Sequence, residues 1–103
     1  QMCKETGWAY QRRVQLGKPV SNQWGNAKNW YYRAQRAGYR TGHKPKRYAI
    51  MQSTAGYYGH VAIVERVYSS GKILVSEYNY NRPLAYSTRY ISASAARNYN
   101  YIY

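Results

Sequence analysis

Apolar residues in the first part of the chain recur with the spacing of an amphipathic helix. Residues 4–15 are predicted to form a first helix, which ends before Gly17 and Pro19. A second helix is predicted with Asn26 as its N-cap and Gly38 beyond its last turn, because these residue types favour those positions. Its apolar stripe follows helical spacing and consists of Ala27, Trp30, Tyr31, Ala34 and Ala37.

After Pro45 the pattern changes to short apolar runs that are typical of strands. The strongest are residues 60–68 and 72–80, and the Ser-Ser-Gly sequence between them predicts a hairpin turn. Weaker strands are predicted over residues 48–52, 86–91 and 99–102, the last of them at a sheet edge. Helices followed by strands predict an α+β fold in a single domain over residues 1–103, with N-terminal helices packed on an antiparallel β-sheet.

The composition is strongly basic and rich in tyrosine. Sixteen Lys and Arg residues oppose three acidic residues, which gives a net charge of +13. Such a surface attracts polyanions, including nucleic acid, anionic lipid and the phosphate-bearing polymers of a bacterial envelope. Fifteen Tyr and three Trp residues, with no Phe, favour wet grooves in which rings stack on sugars or bases.

The hydropathy pattern argues against a membrane-spanning protein. No apolar run approaches the roughly 20 residues that a membrane helix needs. A charged segment followed by an apolar signal-peptide core is also absent, so we expect any signal peptide to have been removed or to lie outside this sequence. No long basic amphipathic helix is predicted, which disfavours direct membrane disruption.

The single cysteine, Cys3, excludes an internal disulfide and a cysteine-cluster metal site. Its position immediately before the first helix favours the thiolate, because the helix dipole and neighbouring Lys4 both stabilise negative charge. A lone cysteine is nevertheless more often a small buried apolar side chain than a nucleophile. A catalytic interpretation therefore requires a base and a group that orients it.

The predicted hairpin supplies both groups. Glu77 and Asn79 are two residues apart, so their side chains leave the same face of a strand. A two-residue turn at positions 70–71 would pair Val64 with Glu77 and place His60 on that same face, whereas an odd-length loop would place His60 on the opposite face. Cys3, His60 and Glu77 or Asn79 would then form a papain-like arrangement of nucleophile, base and orienting group.

Simpler explanations exist for each polar residue taken singly. His60 could be a hydrogen-bonded strand histidine, and Glu77 a counter-ion for one of the many cations. His43 lies in a basic Gly- and Pro-flanked loop and is expected to be solvated. Glu65 is predicted on the other face of the hairpin, as a surface partner of Arg66 or of the region around Lys72. The basic run over residues 33–47 is either a solvated face or a surface drawn to anionic cell wall.

Most of the chain resembles the CHAP domain, a family of cysteine, histidine-dependent amidohydrolases and peptidases that cut bacterial peptidoglycan. The most specific match is Gly-His-Val-Ala at residues 59–62, followed seventeen residues later by Glu-Tyr-Asn-Tyr at 77–80. The family usually has Gly-Gln-Cys-Thr followed closely by Trp, whereas here Gln1 and Trp8 are differently spaced around the cysteine. The family also commonly has Gly where this chain has Tyr48. Further matches are Trp8-Ala9-Tyr10, Trp24-Gly25-Asn26-Ala27, Trp30 and Tyr99-Asn100-Tyr101-Ile102.

The resemblance implies a role for each candidate residue. Cys3 would be the nucleophile, His60 the base, Glu77 the residue that orients His60, and Asn79 an auxiliary polar group. Tyr57 and Tyr58, which lie just before His60 and are flanked by Gly56 and Gly59, are candidates to line a substrate cleft. The reaction requires no metal or organic cofactor.

The implied function is cleavage of an amide bond in bacterial peptidoglycan by a secreted, monomeric enzyme that acts outside the cell. Anionic wall polymers are possible additional partners, and no specific nucleic acid is expected. The alternative is a non-catalytic cationic module that binds nucleic acid or anionic envelope polymers. That alternative predicts affinity that falls steeply with salt and does not depend on Cys3.

Overall fold

The computed structural model describes residues 4–79 and 85–103, with side chains described for residues 6–78 and 85–103. Two helices precede all six strands of a sheet, and a short third helix precedes the last strand. The elements are α1 (Lys4–Gln15), a 3₁₀ turn (Ala27–Asn29), α2 (Trp30–Arg36), β1 (Thr41–Gly42), β2 (Ile50–Ser53), β3 (His60–Val67), β4 (Ile73–Asn79), β5 (Ala85–Ile91), α3 (Ala93–Ala96) and β6 (Asn100–Ile102).

The predicted α+β fold is confirmed, and α1 has the predicted bounds. The second predicted helix instead starts as the 3₁₀ turn, and Asn26 makes no side-chain capping hydrogen bond there. Gly38 ends this region with φ of +88°, the left-handed conformation expected of a glycine after a helix. Helix α3 was not predicted from the apolar pattern because it has only four residues. Its start is fixed by Ser92, whose hydroxyl accepts a hydrogen bond from the Ala95 amide.

The strands are antiparallel and follow the order β1-β6-β2-β3-β4-β5. The prediction that the last strand lies at a sheet edge is therefore wrong. Strand β6 pairs with β2 on one side and with the two-residue strand β1 on the other, so β1 and β5 are the edges. The sequence gives little indication of β1 because a two-residue strand has too few positions to show alternation.

Both faces of the central strands are buried. On one face, Val61 and Ile63 of β3 pack in a cluster with Ala9 of α1 and Trp30 of α2. On the other, a second apolar cluster includes Met51, Ala62, Val64, Val75, Tyr101 and Ala96 of α3. Burial on both sides explains why β3 begins with a continuous apolar run rather than a strict alternation.

The register of the β3–β4 hairpin differs from the prediction, in two ways that offset each other. The turn is three residues long, closed by a hydrogen bond from the Tyr68 amide to the Lys72 carbonyl at 2.9 Å. The pairing then shifts by one residue between Val64 and Arg66, so that Val64 pairs with Val75 and not, as predicted, with Glu77. One extra residue, Glu65, is thus accommodated in β3 as a β-bulge.

The bulge decides which face His60 occupies. The pairing next to the turn, continued without a bulge, would place His60 and Glu77 on opposite faces of the hairpin. The one-residue shift reverses this relationship and brings both side chains to the same face. The predicted shared face is therefore present, but the odd-length turn and the bulge produce it together.

Candidate active site

Glu77 is the centre of the site. It lies on β4 between β3 and β5, is only 3% exposed, and accepts a hydrogen bond on each carboxylate oxygen. His60 Nε2 lies 2.7 Å from Oε1, and Arg89 Nε lies 2.6 Å from Oε2. The carboxylate is therefore fixed by one donor from each neighbouring strand.

The two donors keep the buried carboxylate ionised. Burial by itself raises the pKa of Glu77, but the hydrogen bonds and charges of His60 and Arg89 outweigh it and lower the pKa below the ordinary 4.5. An ionised carboxylate only accepts hydrogen bonds, so the Nε2 position of His60 carries the proton. In neutral His60 this leaves the Nδ1 lone pair available on the other side of the ring.

The loop that leads into His60 is held against the 3₁₀ turn at a glycine. Gly59 has φ of +75°, and a Cβ there would lie 2.5 Å from the Lys28 amide nitrogen. The Lys28 amide also donates to the Tyr58 carbonyl at 2.9 Å. Gly59 is thus required both for its backbone conformation and for the close approach of the two segments.

Tyr57 and Tyr58 are exposed beside the site. Their rings meet edge to face at 4.7 Å, and Nζ of Lys28 lies 5.4 Å from the centroid of the Tyr57 ring. A depression of about 350 Å³ is lined in part by Ser53, the residue that pairs with His60 in the sheet. Polar residues such as Thr54, Asn98 and Tyr99 contribute to its lining, and sequence reasoning did not identify them.

Two of the predicted site residues cannot be placed with side chains. Cys3 lies outside the described residues, which start at Lys4, the next residue and the first of α1. Asn79 ends β4 and pairs with Ala85, but its side chain lies outside the described set. The structure thus brings together His60 and Glu77, and it places the other histidine, His43, in an exposed position on a different segment.

Sequence reasoning missed Arg89. It lies on the edge strand β5 opposite Val75, two residues from the pair formed by Glu77 and Ser87. On antiparallel strands, residues with this two-residue offset are diagonal neighbours, and long side chains can reach across the distance between them. The alternation of β5 could have located Arg89 on the face of Glu77, but only if the pairing of the two strands had been known.

A second polar network fixes α1 on the opposite face of the sheet. Arg12 donates to both oxygens of Glu65, at 2.8 and 3.0 Å, and the Ser76 hydroxyl donates to Glu65 at 2.7 Å. Trp8 of α1 donates to the same hydroxyl at 3.1 Å. The predicted pairing of Glu65 with Arg66 or the region around Lys72 is therefore wrong. Glu65 lies two residues beyond Ile63, on the face of β3 that packs against α1, and contacts Arg12 there.

The same electrostatic balance applies to the half-buried Glu65. Burial raises the pKa of Glu65, while hydrogen bonds from Arg12 and Ser76 and the nearby cations outweigh it and lower the pKa. The glutamates at 65 and 77 thus both serve internal hydrogen-bond networks. Because α1 starts directly after Cys3, the network around Glu65 helps to determine where the beginning of that helix lies relative to β3 and β4.

Comparison with known proteins identifies the family. The family model described as the CHAP domain matches residues 3–79, from the cysteine through the Glu-Tyr-Asn segment. The chain belongs to the CHAP domain family.

Relatives of this CHAP domain include an amidase and a secretory antigen. N-acetylmuramoyl-L-alanine amidase sle1 of Staphylococcus haemolyticus (strain JCSC1435) is 48% identical over 99 residues, covering 95% of this chain and 30% of the relative. Staphylococcal secretory antigen ssaA2 of Staphylococcus aureus (strain NCTC 8325 / PS 47) is 51% identical over 89 residues, covering 85% of this chain and 33% of the relative. The chain thus spans about a third of the length of these curated relatives.

Solved structures agree with the fold of this CHAP domain. The crystal structure of N-acetylmuramoyl-L-alanine amidase from Staphylococcus aureus matches with a TM-score of 0.91 and 41% identity, covering 96% of this chain and 30% of that one. The crystal structure of Ly7917 matches with a TM-score of 0.63 and 23% identity, covering 96% of this chain and 54% of that one. The second similarity supports the shared fold alone.

Proposed function

We propose that this CHAP domain is a peptidoglycan hydrolase that cleaves an amide bond with Cys3 as nucleophile and His60 as base. The observation that carries the proposal is the hydrogen bond between His60 and the buried, ionised carboxylate of Glu77. It fixes the imidazole so that Nε2 is protonated and Nδ1 can take a proton from a thiol. The amidase names of relatives support the same class of substrate.

In the proposed reaction, the Cys3 thiolate attacks the carbonyl carbon of the scissile amide. The C–N bond breaks, imidazolium His60 gives its Nδ1 proton to the leaving amine, and a thioester remains on Cys3. Water then attacks the thioester, His60 takes a proton from that water, and the carboxylic acid leaves as the thiolate reforms. Glu77 stays ionised throughout and stabilises the imidazolium, and Asn79 is an auxiliary polar group near it.

The enzyme acts outside the cell on the bacterial wall, with Tyr57 and Tyr58 as contacts for substrate, and it functions as a monomer. Secretory antigens among its relatives support the location. Across residues 4–79 and 85–103, no helix is long and apolar enough to cross a membrane. Whether the scissile amide is the muramoyl–alanine bond or a peptide bond depends on the shape of the cleft.

The two histidines of the chain provide a matched test. His60→Ala should lower the rate at which purified cell walls lose turbidity by about 100-fold or more. His43→Ala removes an exposed imidazole outside the site and should leave that rate within about twofold.

Cys3→Ala should abolish lysis. Mass spectrometry of the digested wall would identify the cleaved amide from its new amine and carboxyl ends. Full lysis by the Cys3→Ala or His60→Ala variant would contradict the proposal.

A second candidate function, binding to an anionic wall polymer, is favoured by a cationic groove on α2. Arg33 and Arg36 line an open depression of about 490 Å³ together with Trp24 and Tyr32. Among the side chains that the structure describes, neither arginine has an acidic partner, because Glu65 and Glu77 are engaged internally. Two uncompensated guanidinium groups beside an exposed tyrosine suit a phosphate-bearing polymer.

The groove can be tested separately from catalysis. Cys3→Ala protein should sediment with purified walls, with an affinity that falls as salt rises. Replacing both Arg33 and Arg36 with Gln should weaken this binding and its salt dependence, whereas replacing both Arg66 and Lys72, two exposed cations of the β3–β4 hairpin, with Gln should have a smaller effect. Equal loss in both variants would indicate that net charge, rather than this groove, governs binding. Walls stripped of phosphate polymer should bind less protein.

A further inference from the structure

We propose that Arg89 is a positioning residue for the candidate active site, which holds Glu77 in the orientation that the base His60 requires. The inference rests on the proposed hydrolase function. Arg89 does not contact His60 in the described hydrogen bonds; it contacts the opposite oxygen of the same carboxylate. Its action on the reaction would therefore pass through Glu77.

Arg89 donates a hydrogen bond to Oε2 of Glu77, an oxygen that His60 does not contact and that solvent barely reaches. Glu77 is almost inaccessible to water, with a side-chain exposure of 4%, so Oε2 depends on protein donors. Arg89 Nε supplies one at 2.6 Å, while the arginine side chain itself is 45% exposed. Without that donor, Oε2 would be a buried anionic oxygen with an unmet requirement for a hydrogen bond. The carboxylate could then rotate or take up a proton.

The contact between Arg89 and Glu77 depends on which nitrogen of the guanidinium donates the hydrogen bond. Arg89 donates through Nε, the nitrogen closest to its aliphatic chain, rather than through a terminal nitrogen. The strand pairing determines this distance, because Arg89 is one diagonal step from Glu77 across β4 and β5. A lysine at this position would retain a positive charge but would not reproduce the planar donor.

Arg89 also affects the pH range in which the site can work. Its hydrogen bond and charge help to lower the pKa of Glu77, against a burial effect that raises it. Removing the guanidinium would therefore raise that pKa, and the carboxylate would be protonated at a higher pH than in the wild type. A protonated Glu77 could no longer stabilise imidazolium His60, so activity would be lost earlier as the pH falls.

The test compares wild type with Arg89→Met, Arg89→Lys and Arg66→Met, using wall lysis measured across pH. Arg89→Met should lower kcat by about tenfold, change KM by less than about twofold, and move the acid limb of the activity profile to higher pH. Arg89→Lys should recover part of the pH shift, since it restores the charge. Arg66→Met removes an equal charge from an exposed position away from the site and should leave the profile unchanged.

A second measurement does not depend on wall cleavage. Cys3 is the only thiol in the chain, so its alkylation by iodoacetamide reports the reactivity of the candidate nucleophile alone. The pH dependence of this rate should differ between wild type and Arg89→Met, with circular dichroism showing that both are folded. An unchanged alkylation profile and an unchanged acid limb in folded Arg89→Met would overturn the role of Arg89. Absence of lysis by wild type would instead overturn the proposed function, while the alkylation result would still decide whether Arg89 acts on the site.

Discussion

Glu77 and Gly59 show how single residues define the site. A buried carboxylate is stable here because donors from two neighbouring strands replace the water it has lost. The residue directly before His60 must approach Lys28 too closely for any side chain. The site therefore requires Glu77 for its charge and Gly59 for the absence of a Cβ.

The requirement for Gly59 can be measured against a second glycine in the same loop. Gly56 and Gly59 have φ of +76° and +75°, but only a Cβ at Gly59 would meet neighbouring atoms, the nearest at 2.5 Å. Gly56→Ala should cost about 1–2 kcal/mol from its left-handed backbone alone. Gly59→Ala should cost more and should reduce wall lysis, because the loop must move away from Lys28. Urea denaturation would compare the two, and equal losses of stability would show that the contact with Lys28 is unimportant.

Among the secondary-structure elements, the β3–β4 hairpin and α1 are coupled through Glu65. The extra residue at this position changes the register of the hairpin, and its carboxylate accepts hydrogen bonds from Arg12 on the helix. Bulges commonly redirect side chains next to active sites. Here the bulge both aligns His60 with Glu77 and attaches the helix that follows Cys3.

The two roles of Glu65 can be separated by a substitution and a deletion. Glu65→Gln keeps the number of residues in β3, so His60 should stay beside Glu77 and lysis should persist, with a loss of about 1–3 kcal/mol from the broken charged network. Deleting Glu65 removes the bulge but leaves Arg66 paired with Leu74 and Val64 paired with Val75, so His60 should stay beside Glu77 while α1 loses the partner of Arg12. NMR contacts between His60 and β4 would report the register directly. Loss of these contacts in a folded deletion variant would contradict this account of the bulge.

For the whole molecule, the positions of Glu65 and Glu77 determine which surface cations lack an acidic partner. The net charge is +13, and the carboxylates at 65 and 77 are both held in internal hydrogen-bond networks. Because both carboxylates already have partners, surface cations such as those of α2 are available for an anionic partner. Glu65 and Glu77 thus stabilise the fold and the site, while cations such as Arg33 and Arg36 remain at the surface.

This distribution predicts acid-sensitive stability. Both glutamates have a pKa lowered below the ordinary 4.5, so each contributes stability that is present above that value and is lost as pH falls through the lower value in the folded state. The melting temperature should therefore drop below about pH 4.5. Glu65→Gln and Glu77→Gln should each melt lower than wild type at neutral pH and show a shallower further decline in acid. Calorimetry across pH would test this, and parallel curves for wild type and variants would contradict it.

Local sequence patterns are sufficient to predict much of the fold. The helix over residues 4–15, the two central strands and the paired use of His60 and Glu77 all follow from periodicity, strand alternation and the Gly-His-Val-Ala and Glu-Tyr-Asn segments. The register was harder to predict because a bulge leaves no mark in apolar alternation. Arg89 was not found because its relation to Glu77 depends on how β5 pairs, and the sequence contains ten arginines with no local feature that distinguishes this one.

The chain by itself determined which segments become helices or strands and which residue types are available for chemistry, since both depend on near neighbours in sequence. Three features arise from the tertiary fold: β6 lies inside the sheet, the bulge at Glu65 brings His60 to the face of Glu77, and Arg89 donates the second hydrogen bond to the Glu77 carboxylate. These features depend on pairing between residues far apart in the chain. Such pairing is set by the combined packing of both faces of the sheet rather than by any local preference.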